Sequence, residues 1–284
     1  MSITVLRAGS LTTIQDRGRP GLAHLGVPCA GPLDRPAADL ANRLVGNRSD
    51  AAVLEVTMGG LHLRAGRGHW IAVTGAPCPV EVNGVARGHA RAEWAERGAD
   101  VVLGPPSSGV RSYVAVAGGF DVVPVLGSRA TDTLAWVGPP PVQDGDLLAV
   151  GPSRGAPQPH DTPRPPRRGP LRLHPGPGVD WFAPEAVEVI GSSAYTVGSE
   201  SNRIGLRLDG PPLERRRGEM PSEGMVLGSV QVPPHGRPVI FLADHPVTGG
   251  YPVIGVVEPE DLWMCAQARP GETLRFTRWR AASR

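Results

Sequence analysis

Glycine and proline punctuate this chain at about one residue in four, 38 Gly and 32 Pro in 284 residues. That density leaves few uninterrupted windows of the 10 to 12 residues a stable helix needs. Between the breaks lie short runs rich in β-branched residues: Val53 to Thr57, Ile71 to Thr74, Val101 to Leu103, Val226 to Val232 and Val239 to Ala243. Runs of this length bounded by Gly or Pro are how buried or half-buried strands read, and their recurrence separates the chain from a disordered Gly/Pro-rich one. The expectation is a mainly-β fold of short strands with few short helices.

One segment does carry a helical pattern. Asp34 stands as N-cap before PAADLANRLVG, with Leu40, Leu44 and Val45 expected on one face and Gly46 as the stop. Asn83-Gly84 between two apolar runs predicts a hairpin with a type I′ turn. SYVAVAGGFDV, residues 112 to 122, reads as a buried strand entering a Gly-Gly turn. Residues 12 to 28, TTIQDRGRPGLAHLGVP, hold too many glycines and prolines for a helix and too many polar groups for a buried strand, so a functional loop is expected there.

Length sets two domains as the starting expectation. Residues 151 to 170 are almost free of apolar side chains and carry Arg154, Arg164, Arg167 and Arg168 against Asp161 alone, a local net charge of +3 within a formal total of +2. They read as a Pro/Arg-rich linker at 153–168 between an N-terminal β domain, 1–152, and a C-terminal one, 169–284. The bodies on either side are then close to neutral, so neither nucleic acid nor membrane is an expected partner. A gapless alignment of Glu55 on Glu223 places Gly60 on Gly228, Gly68 on Gly236 and residues 71–73 on 239–241, which suggests two copies of one β unit.

Every basic residue apart from histidine is arginine and lysine is absent, which removes a Walker lysine, a Schiff-base lysine and a biotinylated lysine from this chain. Cys29, Cys78 and Cys265 are odd in number, far apart and in no CxxC pair, as expected of reduced thiols in a cytoplasmic protein. No HxH, HExxH or GxSxG motif occurs, and no nucleotide-binding glycine motif follows a strand, so no metal or Ser-His-Asp chemistry is expected.

Three polar clusters remain. Gln15, Asp16, Arg17 and Arg19 fill the N-terminal loop, and two readings stand open: a turn-stabilising salt bridge, or an Arg that binds a substrate carboxylate while Asp16 orients it. Asn202 and Arg203 precede a glycine and an alternating strand, as either a hairpin corner or a binding pair. Glu223 and Gln231 flank one apolar run, while Asp244, Thr248, Gly249, Gly250 and Tyr251 follow the next. A carboxylate and a phenol on such a turn can shuttle a proton to an amide or lactam, and adjacent glycines let backbone N–H groups approach an oxyanion. A tight turn in which Asp244 caps its own backbone is the alternative.

QDRGRPG, ANRLVGN, EVTMGG, RSYVAVAGGFDVVPVLGSR, SNRIGLRLDGP, SEGMVLGSVQVPP and TGGYP follow one another along the chain. In that order they resemble the biotin-dependent carboxyltransferase family, whose members include the C-type subunit of 5-oxoprolinase, also called allophanate hydrolase subunit 2, and the carboxyltransferase region of urea amidolyase. The resemblance implies two cyclophilin-like β-barrel units. It implies a hydrolase component that works with A-like and B-like partner proteins of a 5-oxoprolinase to open 5-oxo-L-proline to L-glutamate with ATP, which the complex binds. Asp244, Tyr251 and Glu223 become the catalytic candidates; Asp16, Arg17, Asn202, Arg203, Gln231, Thr248, Gly249 and Gly250 become the substrate-binding ones. Where the family has D-x-Q-T-T-G-G-Y-P, this chain has DHPVTGGYP, with Pro246 and Val247 in place of Gln and the first Thr. Two other roles stay open: a regulatory binding subunit that antagonises a kinase inhibitor, and a carboxyltransferase acting on a urea-like substrate with biotin carried on a separate chain.

Overall fold

The computed structural model describes residues 2–153, 157, 167–216, 218 and 220–277. Contacts divide the chain into two compact units, Met1–Gly21 with Cys29–Arg164, and Leu22–Pro28 with Pro165–Arg284. Most of the expected linker at 153–168 lies outside the described residues.

The first unit is built from two antiparallel sheets. One runs in the order Leu147–Ala149, Ser2–Arg7, His62–Ala65, Asp100–Leu103, Val80–Val82, Val85–Arg87. The other runs Leu11–Gln15, Val53–Thr57, Arg111–Val116, His69–Gly75, Ala92–Ala95. Side chains alternate across a strand, and the second sheet uses both faces. Leu54, Val56, Ile71, Val73, Val114 and Val116 point into a core shared with Ile3, Val5, Leu63 and Val101 of the first sheet. Val53, Ala72, Tyr113 and Ala115 point the other way, onto helix α1 (Arg35–Leu44). Arg111–Val116 is therefore buried at every position.

Helix α1 starts where the sequence places it, with Asp34 Oδ1 accepting from Ala37 N at 3.1 Å, and Gly46 at φ 73° ends it. Its buried face differs from the expected one: Ala38, Ala41, Asn42 and Val45 are buried, while Leu40 and Leu44 are half-buried. Small residues allow close approach to the sheet, which opposes alanines to the helix, so the large leucines stay at the margin, Leu44 still packing against the same cluster. A polar network ties helix to sheet. Glu55 Oε2 accepts from Leu33 N at 2.9 Å and Tyr113 OH at 2.8 Å, Arg111 lies 3.5 Å from Glu55 Oε1, and the Tyr113 oxygen accepts from Asp34 N at 2.8 Å. Burial, reinforced by Glu55 and Asp34, pushes the Tyr113 hydroxyl well above its ordinary pKa.

Two further expectations meet the structure here. Residues 12–15, expected as part of a loop, form a buried strand in which Thr12 Oγ1 donates to Ala8 O and Gln15 Nε2 to Thr13 Oγ1 and Thr131 O, so most of their side-chain polar groups find partners, Gln15 Oε1 excepted. The Asn83-Gly84 turn is as expected, both residues left-handed at φ 53° and 72° between paired Val80–Val82 and Val85–Arg87.

The second unit holds a seven-stranded antiparallel sheet ordered Leu173–Pro175, Val253–Val257, Ser229–Gln231, Val239–Phe241, Gly205–Asp209, Ala194–Val197, Thr273–Arg275. Leu171 and Phe276, beside the two edge strands, join them: Leu171 N donates to Arg275 O and Thr277 N to Leu171 O, each at 2.8 Å. The sheet curls until its edges meet. Helices α2 (Pro184–Ser192) and α3 (Leu262–Gln267) belong to this unit, and Glu223–Gly224 pairs with Thr248–Gly249 as a separate two-stranded ribbon.

The expected strand from Val226 begins instead at Ser229. Val226 and Leu227 are exposed in a turn closed by Ser229 N on Val226 O, with Gly228 at φ 86°. The gapless echo between the halves does not equate equivalent strands. His62–Ala65 and His69–Gly75 lie in different sheets, whereas their counterparts Ser229–Gln231 and Val239–Phe241 pair with each other. Buried Glu55 likewise matches exposed Glu223. Short apolar strands spaced by glycine turns echo one another without sharing topology.

Candidate functional site

The ribbon of the second unit is the point where most of the sequence candidates meet. Asn202 Oδ1 accepts from Ile204 N at 2.8 Å and Gly205 N at 3.2 Å, a local turn that aims Arg203 inward. Arg203 is 1% exposed and forks onto Asp244, which is fully buried: Nε donates to Oδ2 and Nη2 to Oδ1, each at 2.9 Å. Asp244 N also donates to Arg203 O. Planar, bidentate pairing of this kind holds both groups in one geometry. The two residues that the sequence offers for a substrate carboxylate and a proton are thus turned on each other, as a buried brace beneath the segment leading to the ribbon.

Above the brace, Glu223 lies opposite Gly249 and Gly224 opposite Thr248, with Met225 N donating to Val247 O at 2.9 Å. Met225 packs with Phe241 and Val253. Gln231, 6% exposed, donates from Nε2 to Tyr251 O at 3.1 Å. Gly249 lies against that contact: a Cβ there would stand 2.5 Å from Gln231 Nε2 and 3.0 Å from Met225 Sδ, so those two side-chain ends would have to shift. Glu223, Thr248, Gly250 and Tyr251 face solvent, and the Arg215 guanidinium lies 5.9 Å from the Tyr251 ring centre. The ribbon offers a carboxylate, a hydroxyl, a phenol and a guanidinium on a braced support, a set able to accept, relay and donate protons to a small polar molecule. Arg215 is absent from the sequence candidates. Its signal there, a run of three arginines at 215–217, reads equally as a solvated charge cluster.

The N-terminal candidates belong to the first unit. Asp16 accepts from Gly18 N at 2.9 Å, Ser128 Oγ at 2.5 Å and Arg129 N at 2.6 Å, so its carboxylate clasps two loops. Arg17 is exposed and donates to Ser49 Oγ. Ser49 stands between Arg48 and Asp50, which help line a cavity of about 310 Å³ with Asn47, Gly118 to Asp121, Arg129 and Gly151. The cavity is missed by sequence reasoning, because its walls come from four separated segments. Its floor explains the Gly-Gly turn: Gly118, at φ 100°, lies so close to Gly151 that a Cβ would stand 2.2 Å from the Gly151 carbonyl oxygen. Among the described residues no group of three His, Cys, Asp or Glu side chains is arranged to hold a metal ion, and no helix is long and apolar enough to cross a membrane.

Comparison with known proteins matches residues 25–278 to the family model described as carboxyltransferase domain, subdomain A and B. The chain is 36% identical to the C-type subunit of 5-oxoprolinase from Escherichia coli K12, over 96% of this chain and 90% of that one. It is 32% identical to urea amidolyase of Lachancea kluyveri, of which it spans only 16%. Among solved structures, TTHA0988 superposes with a TM-score of 0.89 at 40% identity, over 97% of this chain and 55% of that chain. The urea amidolyase of K. lactis superposes with the same TM-score at 30% identity, over 97% of this chain and 18% of that one. On these matches the chain belongs to the carboxyltransferase-domain family with subdomains A and B.

Proposed function

We propose that this chain is the C-type subunit of a cytoplasmic, ATP-dependent 5-oxoprolinase complex that opens 5-oxo-L-proline to L-glutamate with A-like and B-like partner proteins. The observation that carries the reading is the 36% identity to the E. coli 5-oxoprolinase chain over nearly the full length of both. In this reading each compact unit is a cyclophilin-like β barrel, joined through the linker at 153–168. Glu223 and Tyr251 handle protons at the lactam, while Thr248, Gly249 and Gly250 offer it hydrogen bonds. Gln231 sets the height of the turn, and Asn202, Arg203 and Asp244 hold it from beneath. Asp16 anchors the loop that displays Arg17, a guanidinium suited to a carboxylate.

Among the described residues no α-helix N-terminus is suited to ATP phosphates. Helix N-termini are the usual phosphate cradles, but α1 opens on the Asp34 carboxylate, α2 on Pro184-Glu185 and α3 on Asp261, and no lysine is available. ATP is assigned to the complex as a whole, and no step is routed through it on this chain. Biotin would likewise have to ride on another chain, since the amide link needs a lysine.

A second reading, carboxyl transfer to a urea-like substrate, is supported by the similarity to urea amidolyases. One assay separates the two. The chain purified with its A-like and B-like partners is expected to consume ATP and release glutamate when given 5-oxo-L-proline. ATP consumption that depends on urea and a biotinylated carrier, with no glutamate release, would select the second.

A further inference from the structure

We infer that the segment from Asp121 to Gly138, in the first unit, is a preformed docking surface for the apolar face of a second, different protein. Five large apolar side chains lie exposed within it: Val123 (83%), Val125 (39%), Leu126 (51%), Leu134 (37%) and Trp136 (67%). Summed, they expose on the order of 500 Å² of apolar surface, as much as the largest patch on a typical soluble monomer, which is often functional. That is more than half of the roughly 800 Å² that one partner contributes to a standard interface.

The display is built rather than loose. Val125 and Ser128 pair across a tight turn that puts Leu126 at its tip, and Asp132 accepts from Leu134 N at 2.9 Å and Ala135 N at 3.2 Å to form a second turn carrying Trp136. Arg19, 2% exposed, supports both turns from beneath, through Nη2 to Ala130 O at 2.5 Å and Nε to Val125 O at 3.4 Å. Gly138 closes against the same Ala130 carbonyl. Leu126 and Trp136 are left-handed, at φ 50° and 56°. A bulky residue held there is strained, and such strain gathers at functional sites.

The chemistry of the patch selects its occupant. Asp132 is buried in its turn, and Arg129 is paired with Asp121 at 2.9 Å, so the surface has no net charge to attract nucleic acid or an anionic membrane. The comparisons favour a different protein over a second copy. This fold fills 55% of TTHA0988, which keeps the remainder on the same polypeptide, whereas in E. coli the matching chain is a separate subunit. A fold carried on a separate chain needs a surface to hold its companion.

The partner, the B-like protein, rests on the proposed function, but binding is measured here without turnover. The double variant Val123→Asp/Trp136→Ala is compared with Leu147→Gln, a change at a 68% exposed position on the edge strand outside the patch. Titrated against the purified B-like partner by calorimetry, the double variant is expected to bind at least tenfold more weakly, and Leu147→Gln as wild type. Hydrogen exchange of wild type is expected to show residues 121–138 newly protected in the complex, a readout that needs no variant to fold. The inference is overturned if the segment gains no protection, if the folded double variant binds undiminished, or if it loses only self-association. A complex that forms through this segment but releases no glutamate would refute the 5-oxoprolinase reading alone; glutamate release by an undiminished double variant would refute the docking surface alone.

Discussion

Arg203 and Asp244 are both shielded from solvent, and their bidentate pairing offsets much of the cost of burying two charges. Asp244→Ala leaves a buried guanidinium without its carboxylate and is expected to cost about 3–5 kcal/mol in chemical denaturation. Arg203→Met combined with Asp244→Leu removes both charges and should recover most of that loss, while an equally unstable double variant would contradict a simple brace. The cysteines allow a simpler test. Cys29 is exposed, Cys78 and Cys265 are buried, and burial pushes the Cys265 thiol up to about 12. A thiol reagent at pH 8 should label one cysteine in the folded protein and three after denaturation. At this scale the residue types were legible and their orientation was not. Asp244, Arg203 and Asp16 could be picked out as polar residues near glycines, but whether a carboxylate faces solvent or a guanidinium depends on a partner 41 residues away in one case and 112 or more in the other.

Elements depend on what packs against them, and the ribbon shows this at two neighbouring glycines. A Cβ on Gly249 collides with Gln231 and Met225, whereas one on Gly250 meets nothing within 4 Å, and neither glycine has a positive φ. Gly249→Ala is therefore expected to displace Gln231 from Tyr251 O and lower kcat of the assembled complex by tenfold or more. Gly250→Ala should stay within about twofold, and equal effects would argue against the Gln231 support.

Alkali probes the buried phenols. Burial raises Tyr195 to about 12 and Tyr113 well above its ordinary value. A folded-state pKa above the unfolded one contributes stability that is complete below pH 10 and is lost as pH rises toward 12. The denaturation midpoint should fall over that window and fall less in Tyr195→Phe; an identical slope would exclude Tyr195 as a contributor. Local chemistry made the Asn83-Gly84 hairpin and the Asp34 cap readable, because each is decided within four residues. The buried face of α1 and the start of the strand at Ser229 were not, since alanines facing alanines and a turn at Gly228 are set by neighbours distant in sequence.

At the scale of the whole molecule, the β class follows from the Gly/Pro spacing, and the family from motifs spread along the whole chain. Strand order was beyond reach: Val53–Thr57 and Arg111–Val116 pair across more than fifty residues of intervening sequence, and a period-2 pattern names no partner. The family match points to a reaction that can be followed directly, and the proposal places its chemistry on the exposed groups of one braced ribbon. The deciding measurement is ATP-dependent release of L-glutamate from 5-oxo-L-proline by the A-like and B-like partners with and without this chain. Release is expected only when the chain is present, with a loss of at least a hundredfold when Glu223→Gln and Tyr251→Phe are combined in it. Undiminished release by the partners alone would contradict the proposal.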